Sequence, residues 1–363
     1  MKTLSILSLF ILFSFSVNAQ TIRRVNNTPG LNDPNVYATA QAAHDAAAPN
    51  DIISLEPSAS PSYGSLNVLK RINIVGPGYY LDINPNNFFD KRQPNLSSIT
   101  FGNGSANSTV MGIEASSISI RDVNITVSRC KVSSIGHAKS GNFVGGVESI
   151  GNNSTITNNL IGSSINGGGY ASTCGGNPCT LYAGTNCTIS NNLIGQYVGS
   201  MSATIINYNT FMWHSSGYNI SDVIGSTVTN NIFDARSATS GYLVITTNSS
   251  GTTSSNNICL GVNGLPTGGG NINGANPNII FIGTSNPFST YNTNGDKDFQ
   301  LAVGSPALTA AAGGTQAGAF GNGANAYRLS GVPNTPIVTS FISTGSGNNT
   351  TPLSITVSVR SNN

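Results

Sequence analysis

The chain has 363 residues, of which only 15 are Lys or Arg and 13 are Asp or Glu, so its formal net charge is +2 at pH 7. So little positive charge, with no basic run, excludes nucleic acid and anionic membrane surfaces as expected partners. Regular β-branched runs and low net charge argue against disorder, although 42 residues are Gly. We therefore expect a folded chain.

The first 19 residues resemble a secretory signal peptide. Lys2 precedes the apolar run LSILSLFILFSFSV, and Val17-Asn18-Ala19 supplies a small-residue cleavage site. The run is too short for a spanning helix, and no later stretch is long and apolar enough to cross a bilayer. We expect a secreted or outer-surface protein without a membrane span, whose mature chain starts at Gln20.

A short helix and a strand are predicted next. The Ala-rich segment from Tyr37 favours a helix that ends before Pro49, and DIISLEP indicates a strand. We expect the helix to cover the open core of a first coil. His44 and Asp45 lie on it and could form an acid–base pair, but a solvated helix face is the commoner role of such residues.

The central feature is a motif repeated five times. The copies are STITNNLIG from Ser154, CTISNNLIG from Cys187, ATIINYNTF from Ala203, STVTNNIFD from Ser226 and TTSSNNICL from Thr252. Their second asparagines are separated by steps of 33, 17, 22 and 26 residues, at Asn159, Asn192, Asn209, Asn231 and Asn257. Such periods are typical of a solenoid in which each copy is one coil.

Alternation within the motif predicts which side chains enter the core. We expect the aliphatic residues to stack inside and the threonines beside them to point outward; these are Ile156, Ile189, Ile205 and Val228 inside, and Thr155, Thr188, Thr204 and Thr227 outside. The Asn pair favours a tight bend, and stacked second asparagines, about 4.8 Å apart, can form a hydrogen-bonded ladder. A degenerate copy from Asn124 puts Val127 inside and Cys130 on the ladder.

The segments outside the repeat copies define the predicted limits of the β-helix and of the C-terminal region. The 33-residue step requires an inserted loop, and DFQLAVGSPAL from Asp298 is expected to form the closing coil. Two alternating runs, TPIVTSFIS from Thr335 and TPLSITVSVRS from Thr351, predict a C-terminal β-hairpin that caps the stack. We divide the chain into signal peptide (1–19), N-terminal lead (20–35), β-helix (36–308) and C-terminal segment with capping hairpin (309–363).

Five cysteines in an exported chain allow disulfides. Cys174 and Cys179 flank a Gly-Pro loop and form the expected pair, whereas Cys130 and Cys259 occupy repeat positions and are expected to stay free and buried. No Cys/His spacing supports a zinc site.

A family resemblance rests on four features: the Ala-rich helix, the strand ending in Pro, LNVLKRINIVGPG from Leu66 and the TIxNN coils. In these features the chain resembles secreted right-handed parallel β-helix proteins of the pectate-lyase-like superfamily. The segments VGPGYYL, DKDFQLAVGSPAL and AGAFG are similar to exported β-helix proteins of Bacteroidetes-type bacteria. The resemblance implies one all-β, single-stranded right-handed parallel β-helix over roughly residues 36–330. It implies no single activity, because the superfamily contains lyases, hydrolases, epimerases and adhesins. We also expect a monomer.

Catalytic residues of that superfamily are not carried over. Its lyases use acidic Ca²⁺ ligands with a basic residue, and its hydrolases use neighbouring carboxylates. Only Glu148, Asp222 and Asp234 are acidic between Lys139 and Asp296, and no Asp-Asp pair occurs. We expect no metal or cofactor, with Ca²⁺ considered only for a lyase.

A basic cluster on the early coils could hold an acidic sugar or could be ordinary surface charge. It comprises Arg121, Asp122, Arg129, Lys131, His137 and Lys139, with Glu114 and Glu148 nearby in sequence.

A second cluster is the predicted substrate-binding site. Counting five residues past the ladder asparagines gives Tyr197, His214 and Arg236, and neighbouring aromatic or acidic residues complete the set: Trp213, Tyr218 and Asp234. Aromatic faces with Arg, His and Asp suit an oligosaccharide groove, although loop residues packing on one another would give the same pattern.

We therefore expect an exported or cell-surface protein that interacts with extracellular polysaccharide, without evident catalysis. A polysaccharide lyase or glycoside hydrolase, and a structural or adhesive surface solenoid, remain alternatives. The outward Thr and Ser rows also allow ice binding, although half-exposed strands favour such residues in general.

Overall fold

The computed structural model describes residues 20–31, 33–58, 60, 62–83, 90–138, 151–174, 177–182, 184–212, 218–236, 238, 241–283, 287, 294–334 and 336–360, without the side chains of 169–182. The predicted signal peptide lies outside these residues. The described chain winds into a parallel β-helix, as predicted, with two long parallel sheets of 11 and 13 strands.

The first sheet contains one short strand from each coil. Its spatial order is β2-β1-β3-β5-β7-β9-β11-β16-β19-β22-β24. With strands numbered in chain order, their bounds are β1 Ile22–Val25, β2 Val36–Tyr37, β3 Ile52–Leu55, β5 Asn73–Val75, β7 Thr109–Met111, β9 Thr126–Ser128, β11 Thr155–Thr157, β16 Thr188–Ser190, β19 Ile205–Asn207, β22 Thr227–Thr229 and β24 Thr253–Ser255. The stack thus already includes Ile22–Val25, which lies in the predicted N-terminal lead.

The second sheet splits into two branches towards the later coils. Its strands are β4 Ser65–Val68, β6 Asn95–Phe101, β8 Glu114–Ile120, β10 Lys131–His137, β12 Leu160–Ile161, β13 Ile165–Gly167, β17 Leu193–Ile194, β18 Val198–Ser202, β20 Thr210–Phe211, β21 Ile220–Ile224, β23 Ile232–Asp234, β25 Ile258–Leu260 and β26 Ile272–Ala275. The long strand β10 pairs with both β12 and β13. From there one branch continues through β17, β20, β23, β25 and β26, and the other through β18 and β21.

One short helix, α1 (Ala40–Ala46), covers the N-terminal end of the core, as predicted. The Thr39 side chain caps it by accepting from the backbone N–H of Ala42. His44 does not lie on a solvated face, however. It is buried, and its Nε2 accepts from the backbone N–H of Leu69 at 3.1 Å, so it joins the helix to the chain that follows β4.

The interior stack follows the repeat with one correction. Ile156, Ile189 and Val228 are buried in one column, but the third member is Ile206, and Ile205 is 46% exposed. Thr204, predicted to point outward, is buried. The third copy has one more residue before its ladder Asn than the others, and a shift of one residue moves each side chain to the opposite face.

The predicted asparagine ladder is present and continues one coil further. Each ladder Nδ2 donates to the Oδ1 of the next, from Asn159 through Asn192, Asn209, Asn231 and Asn257 to Asn271, at 2.9 to 3.1 Å. Each Oδ1 also accepts from a backbone N–H of the preceding coil, as between Cys130 and Asn159. Because the first five amides are fully buried, the ladder satisfies polar groups that water cannot reach.

The first residue of each Asn pair makes the bend. Its φ is positive at the corresponding positions of successive coils, which are Arg129, Asn158, Asn191, Tyr208, Asn230 and Asn256. Asn tolerates this conformation because its side chain bonds locally, which explains its recurrence.

The 33-residue step contains an insertion, as predicted. The inserted segment is an antiparallel hairpin, which the sequence did not predict, formed by β14 (Gly169–Cys174) and β15 (Asn177–Tyr182). The side chains of Cys174 and Cys179 lie outside the described part, so their disulfide stays a prediction. Cys130 and Cys259 are free and buried, as predicted, and so is Cys187.

Residues 309–334, here called the return segment, run back along the outside of the stack. Ala312 N–H donates to Asn230 Oδ1, Asn191 Nδ2 donates to Ala319 O, and Asn158 Nδ2 donates to Asn325 O. The segment covers an outward apolar row that includes Leu160, Leu193 and Met212. The first asparagines of the pairs therefore hold the return segment as well as making the bends.

The C-terminal end differs from the prediction. The segment from Asp298 forms no coil. It begins within a 3₁₀ turn at Asp296–Phe299 and ends in another at Pro306–Leu308, and Phe299 and Ala307 pack in apolar clusters on the outside of the stack. Val262 and Leu265 instead pack against the end of the interior.

The predicted C-terminal hairpin forms from β27 (Ile337–Ser343) and β28 (Ile355–Arg360). It does not cap the C-terminal end, because the return segment carries it back to the N-terminal coils. There, Ile337 and Phe341 face Val75 and Pro77 across a groove of about 550 Å³.

We predict that Asn192→Ala destabilises the fold by about 3 kcal/mol or more, because it leaves buried donors of Asn159 without an acceptor. Thr227→Ala, on an exposed outward position, should cost less than about 1 kcal/mol. Urea unfolding followed by circular dichroism measures both. Equal unfolding midpoints for the two variants would show that the ladder contributes little.

Candidate functional site

Two of the six predicted substrate-binding residues form a closed ion pair. Arg236 Nε and Nη2 donate to the Asp234 carboxylate at 2.6 to 3.0 Å. Asp234 is fully buried, and the Arg236 side chain is only 12% exposed. Burial raises the pKa of Asp234, and Arg236 opposes that shift. The two groups therefore satisfy each other and leave little surface for a ligand.

The remaining predicted residues do not complete the cluster. Tyr197 is half-buried and lies over Gly199, and Tyr218 is 45% exposed. Within the described residues, no hydrogen bond, ion pair or ring contact joins either tyrosine to Asp234 or Arg236. Trp213 and His214 lie outside the described residues. Residues five positions after the ladder asparagines do not lie together, because the turns that follow those asparagines differ between coils.

The predicted basic cluster is dispersed. Lys131 pairs with Glu114 at 2.9 Å, and Asp122 accepts from the backbone of two residues after β6. Arg129 bonds the return segment, and His137 points into the core. Arg121 is exposed, and Lys139 and Glu148 lie outside the described residues. These charges therefore share no common surface.

His137 belongs to a buried polar cluster. Its Nε2 lies 2.7 Å from Ser154 Oγ, and that hydroxyl donates to Cys187 Sγ at 3.1 Å. Ser154 and Cys187 begin their repeat copies, and the same inward position holds Thr204 and Ser226. Because the cluster is buried in the coil interior, its hydrogen bonds stabilise the fold and do not face a ligand.

The outer face of the first sheet is the most regular surface of the molecule. Two columns of short side chains run along it through seven strands, in register and without a bulge. One column is Thr109, Thr126, Thr155, Thr188, Ile205, Thr227 and Thr253, and the other is Met111, Ser128, Thr157, Ser190, Asn207, Thr229 and Ser255. Strand spacing places neighbours in a column about 4.8 Å apart.

The return segment turns part of this face into a groove of about 500 Å³, here called the hydroxyl groove. Its floor is formed by the Thr and Ser side chains of β9, β11 and β16, with Met111 of β7 and Asn207 of β19. Asn322, Ala324 and Asn325 of the return segment also line it. The sequence indicated the Thr rows, but the part played by the return segment depends on contacts between residues more than 150 positions apart, such as Asn158 and Asn325.

Hydrogen-bonding groups dominate the lining of the hydroxyl groove. Two of its amide oxygens, Asn158 Oδ1 and Asn207 Oδ1, are buried and find no donor among the described residues. Arg129 is the one charged side chain among the described lining residues, which include no carboxylate. Such a surface can bind hydroxyl-rich ligands.

Two further features of the described residues bear on function. No three His, Cys, Asp or Glu side chains are grouped there in a way that could hold a metal ion. No helix in that part of the chain is long and apolar enough to cross a bilayer.

We predict that His137 makes stability depend on pH. Burial lowers its pKa from 6.5 to about 4, whereas the unfolded chain keeps the ordinary value. Between these values only the unfolded state binds the proton, so stability is lost as the pH falls from 6.5 towards 4, by on the order of 3 kcal/mol.

His137→Leu should reduce the stability loss between pH 7 and pH 4 by that amount. Urea unfolding of both proteins at the two pH values measures it, and unchanged pH dependence in the variant would contradict the assignment.

No family model, curated protein or solved structure matches the chain. A functional conclusion therefore rests on the fold and the hydroxyl groove.

Proposed function

We propose that this protein is exported and binds an extracellular polysaccharide along the hydroxyl groove. The observation that carries the proposal is the repetition of hydroxyl and amide groups on neighbouring strands, open along one sheet face and bordered by the return segment. A polymer lying along the stack meets similar groups at each strand. Sugar hydroxyls, which both donate and accept, are the natural complement of such a surface.

The affinity must come from many weak hydrogen bonds. Each contributes about 0.5–1.5 kcal/mol net, and no Phe, Tyr or Trp occurs among the described lining residues to stack on a sugar ring. A long chain that occupies several strands can accumulate enough of these bonds, whereas a monosaccharide cannot. The proposed ligand is therefore a polymer.

Export is supported by the sequence of residues 1–19 and by the start of the fold. Cleavage after Ala19 leaves the first strand whole, because β1 begins at Ile22 and Thr21 N–H already donates to Asp51. The resemblance to pectate-lyase-like β-helix proteins, many of which act on polysaccharides, supports the same class of ligand.

We predict that the double variant Thr155→Val/Thr188→Val weakens polysaccharide binding about tenfold or more, because it removes two floor hydroxyls and keeps the β-branched shape. A glycan array identifies the ligand, and affinity electrophoresis in gels that contain it measures the loss. The matched control is Thr227→Val/Thr253→Val, in the same column but outside the groove lining.

Equal losses in the two double variants would place binding elsewhere, and no binding by the wild type across neutral and acidic glycans would refute the proposal. An absorbance assay for unsaturated products, run with uronate polymers and Ca²⁺, tests the lyase alternative in parallel. Turnover there would replace binding alone with catalysis.

Ice binding is the second candidate, favoured by a specific observation: Thr occupies six of the seven positions of the first column. Stiff β-branched side chains at regular spacing could order a layer of water. Thermal hysteresis of the purified protein tests it, and its absence would exclude this function.

A further inference from the structure

Arg129 gives the hydroxyl groove a charged end. Arg129 belongs to the coil of the degenerate repeat copy. It lines the groove together with Ser128 of the same coil and Asn158 of the next coil. We infer that Arg129 selects a polysaccharide with an anionic substituent, a carboxylate or a sulfate ester, at this end of the groove. This inference rests on the proposed function.

The guanidinium is held in place but not neutralised. Its Nη1 donates to Val332 O at 3.0 Å and to Asn334 Oδ1 at 2.6 Å, both neutral acceptors in the return segment. Nε and Nη2 donate to no group in the part of the chain that the structure describes. An edge of the guanidinium with unused donors thus remains beside the groove.

Other arginines of the fold are placed differently. Arg23, Arg24, Arg92 and Arg236 each bond a carboxylate, with the partners Asp51, Glu56, Asp90 and Asp234. Arg129 is half-buried without such a partner, and burial lowers its pKa, with the nearby Arg328 acting in the same direction. A half-buried cation beside another cation is stabilised by an anion, and among the described residues no carboxylate pairs with Arg129.

The repeat shows that a charge is not needed for structure at this position. Asn158 and Asn191 occupy it on later coils and hold the return segment through neutral amides. Arg129 adopts the same left-handed conformation, with φ at 53°, which Asn tolerates better than a long side chain does. The arginine therefore adds a charge, at some conformational cost, where an asparagine would serve the fold.

The chemistry of the free edge fits an oxyanion. Nε and Nη2 form a planar fork that can bond two oxygens of a carboxylate or sulfate at once. Thr157, which also lines the groove, offers a hydroxyl to the rest of the sugar. A polymer with acidic groups could therefore place one of them on Arg129 and lay its uncharged parts along the floor.

Three polymers test this inference: a neutral galactan, the sulfated form of the same galactan, and a polyuronate. The wild type should bind at least one acidic polymer about tenfold or more tightly than the neutral one at low salt, and 0.5 M NaCl should remove that preference. The polymer form that shows the preference identifies the anion.

Arg129→Asn, which places the residue type of the later coils at this position, should lose the preference for the acidic polymer. Arg129→Lys should keep part of it, because it retains the charge without the fork. Arg121→Asn removes an exposed arginine that does not line the groove and should change nothing.

The outcomes separate the two claims. If the wild type binds all three polymers equally, or if Arg129→Asn keeps the preference, the inference is wrong, while loss of binding in Thr155→Val/Thr188→Val would still support the proposed function. If the wild type binds none of the polymers and no array glycan, the proposed function fails with it. If Arg129→Asn does not fold, Arg129→Lys decides the matter: a preference left wholly unchanged in that variant would contradict a role for the guanidinium fork.

Discussion

Buried amide groups, bonded from coil to coil, are the interaction on which the fold depends. A parallel β-helix must turn its chain several times in every coil, and each turn leaves backbone groups without sheet partners. The ladder from Asn159 to Asn271 satisfies such groups at one corner, because each Oδ1 accepts from both the backbone and the side chain of the coil before it. The regular sheet face follows from this corner, since a repeated turn keeps successive strands in register.

The adjacent asparagine performs a second task that shapes the molecular surface. In its left-handed conformation it directs its side chain outward, where Asn158, Asn191 and Asn230 bond the return segment. The segment shields apolar side chains on the outside of the coils, so the protein has a second apolar layer beyond its interior. It also carries the C-terminal hairpin to the opposite end of the stack.

The hydroxyl groove is a consequence of both features. The ladder corner sets the strand register, which aligns Thr and Ser in columns, and the return segment supplies residues that line one part of those columns. The few charges in this region are mostly consumed internally, as in the pairs Lys131–Glu114 and Arg236–Asp234. The described lining of the groove therefore consists mainly of hydrogen-bonding groups, with Arg129 as its one charged side chain.

The sequence alone determined the solenoid, the ladder, the N-terminal helix cap, the presence of an insertion in the 33-residue step and the free buried cysteines Cys130 and Cys259. These features arise from local alternation and from repeat spacing, which can be read along the chain. It misplaced Ile205 because one added residue before Asn209 changes the register, and register is set by pairing with the neighbouring coils.

Only the tertiary structure decided the course of the return segment, the position of the hairpin and the surroundings of Arg129. The bonds that fix them join residues that are distant in sequence, such as Arg129 and Val332, and no local periodicity encodes such pairs. Sequence spacing also could not show that Asp234 and Arg236 form a closed ion pair, or that His137 points into the core, because the burial of these side chains depends on how the coils pack. Side-chain identity is a local property, but the face on which a side chain lies depends on the packing of the whole stack.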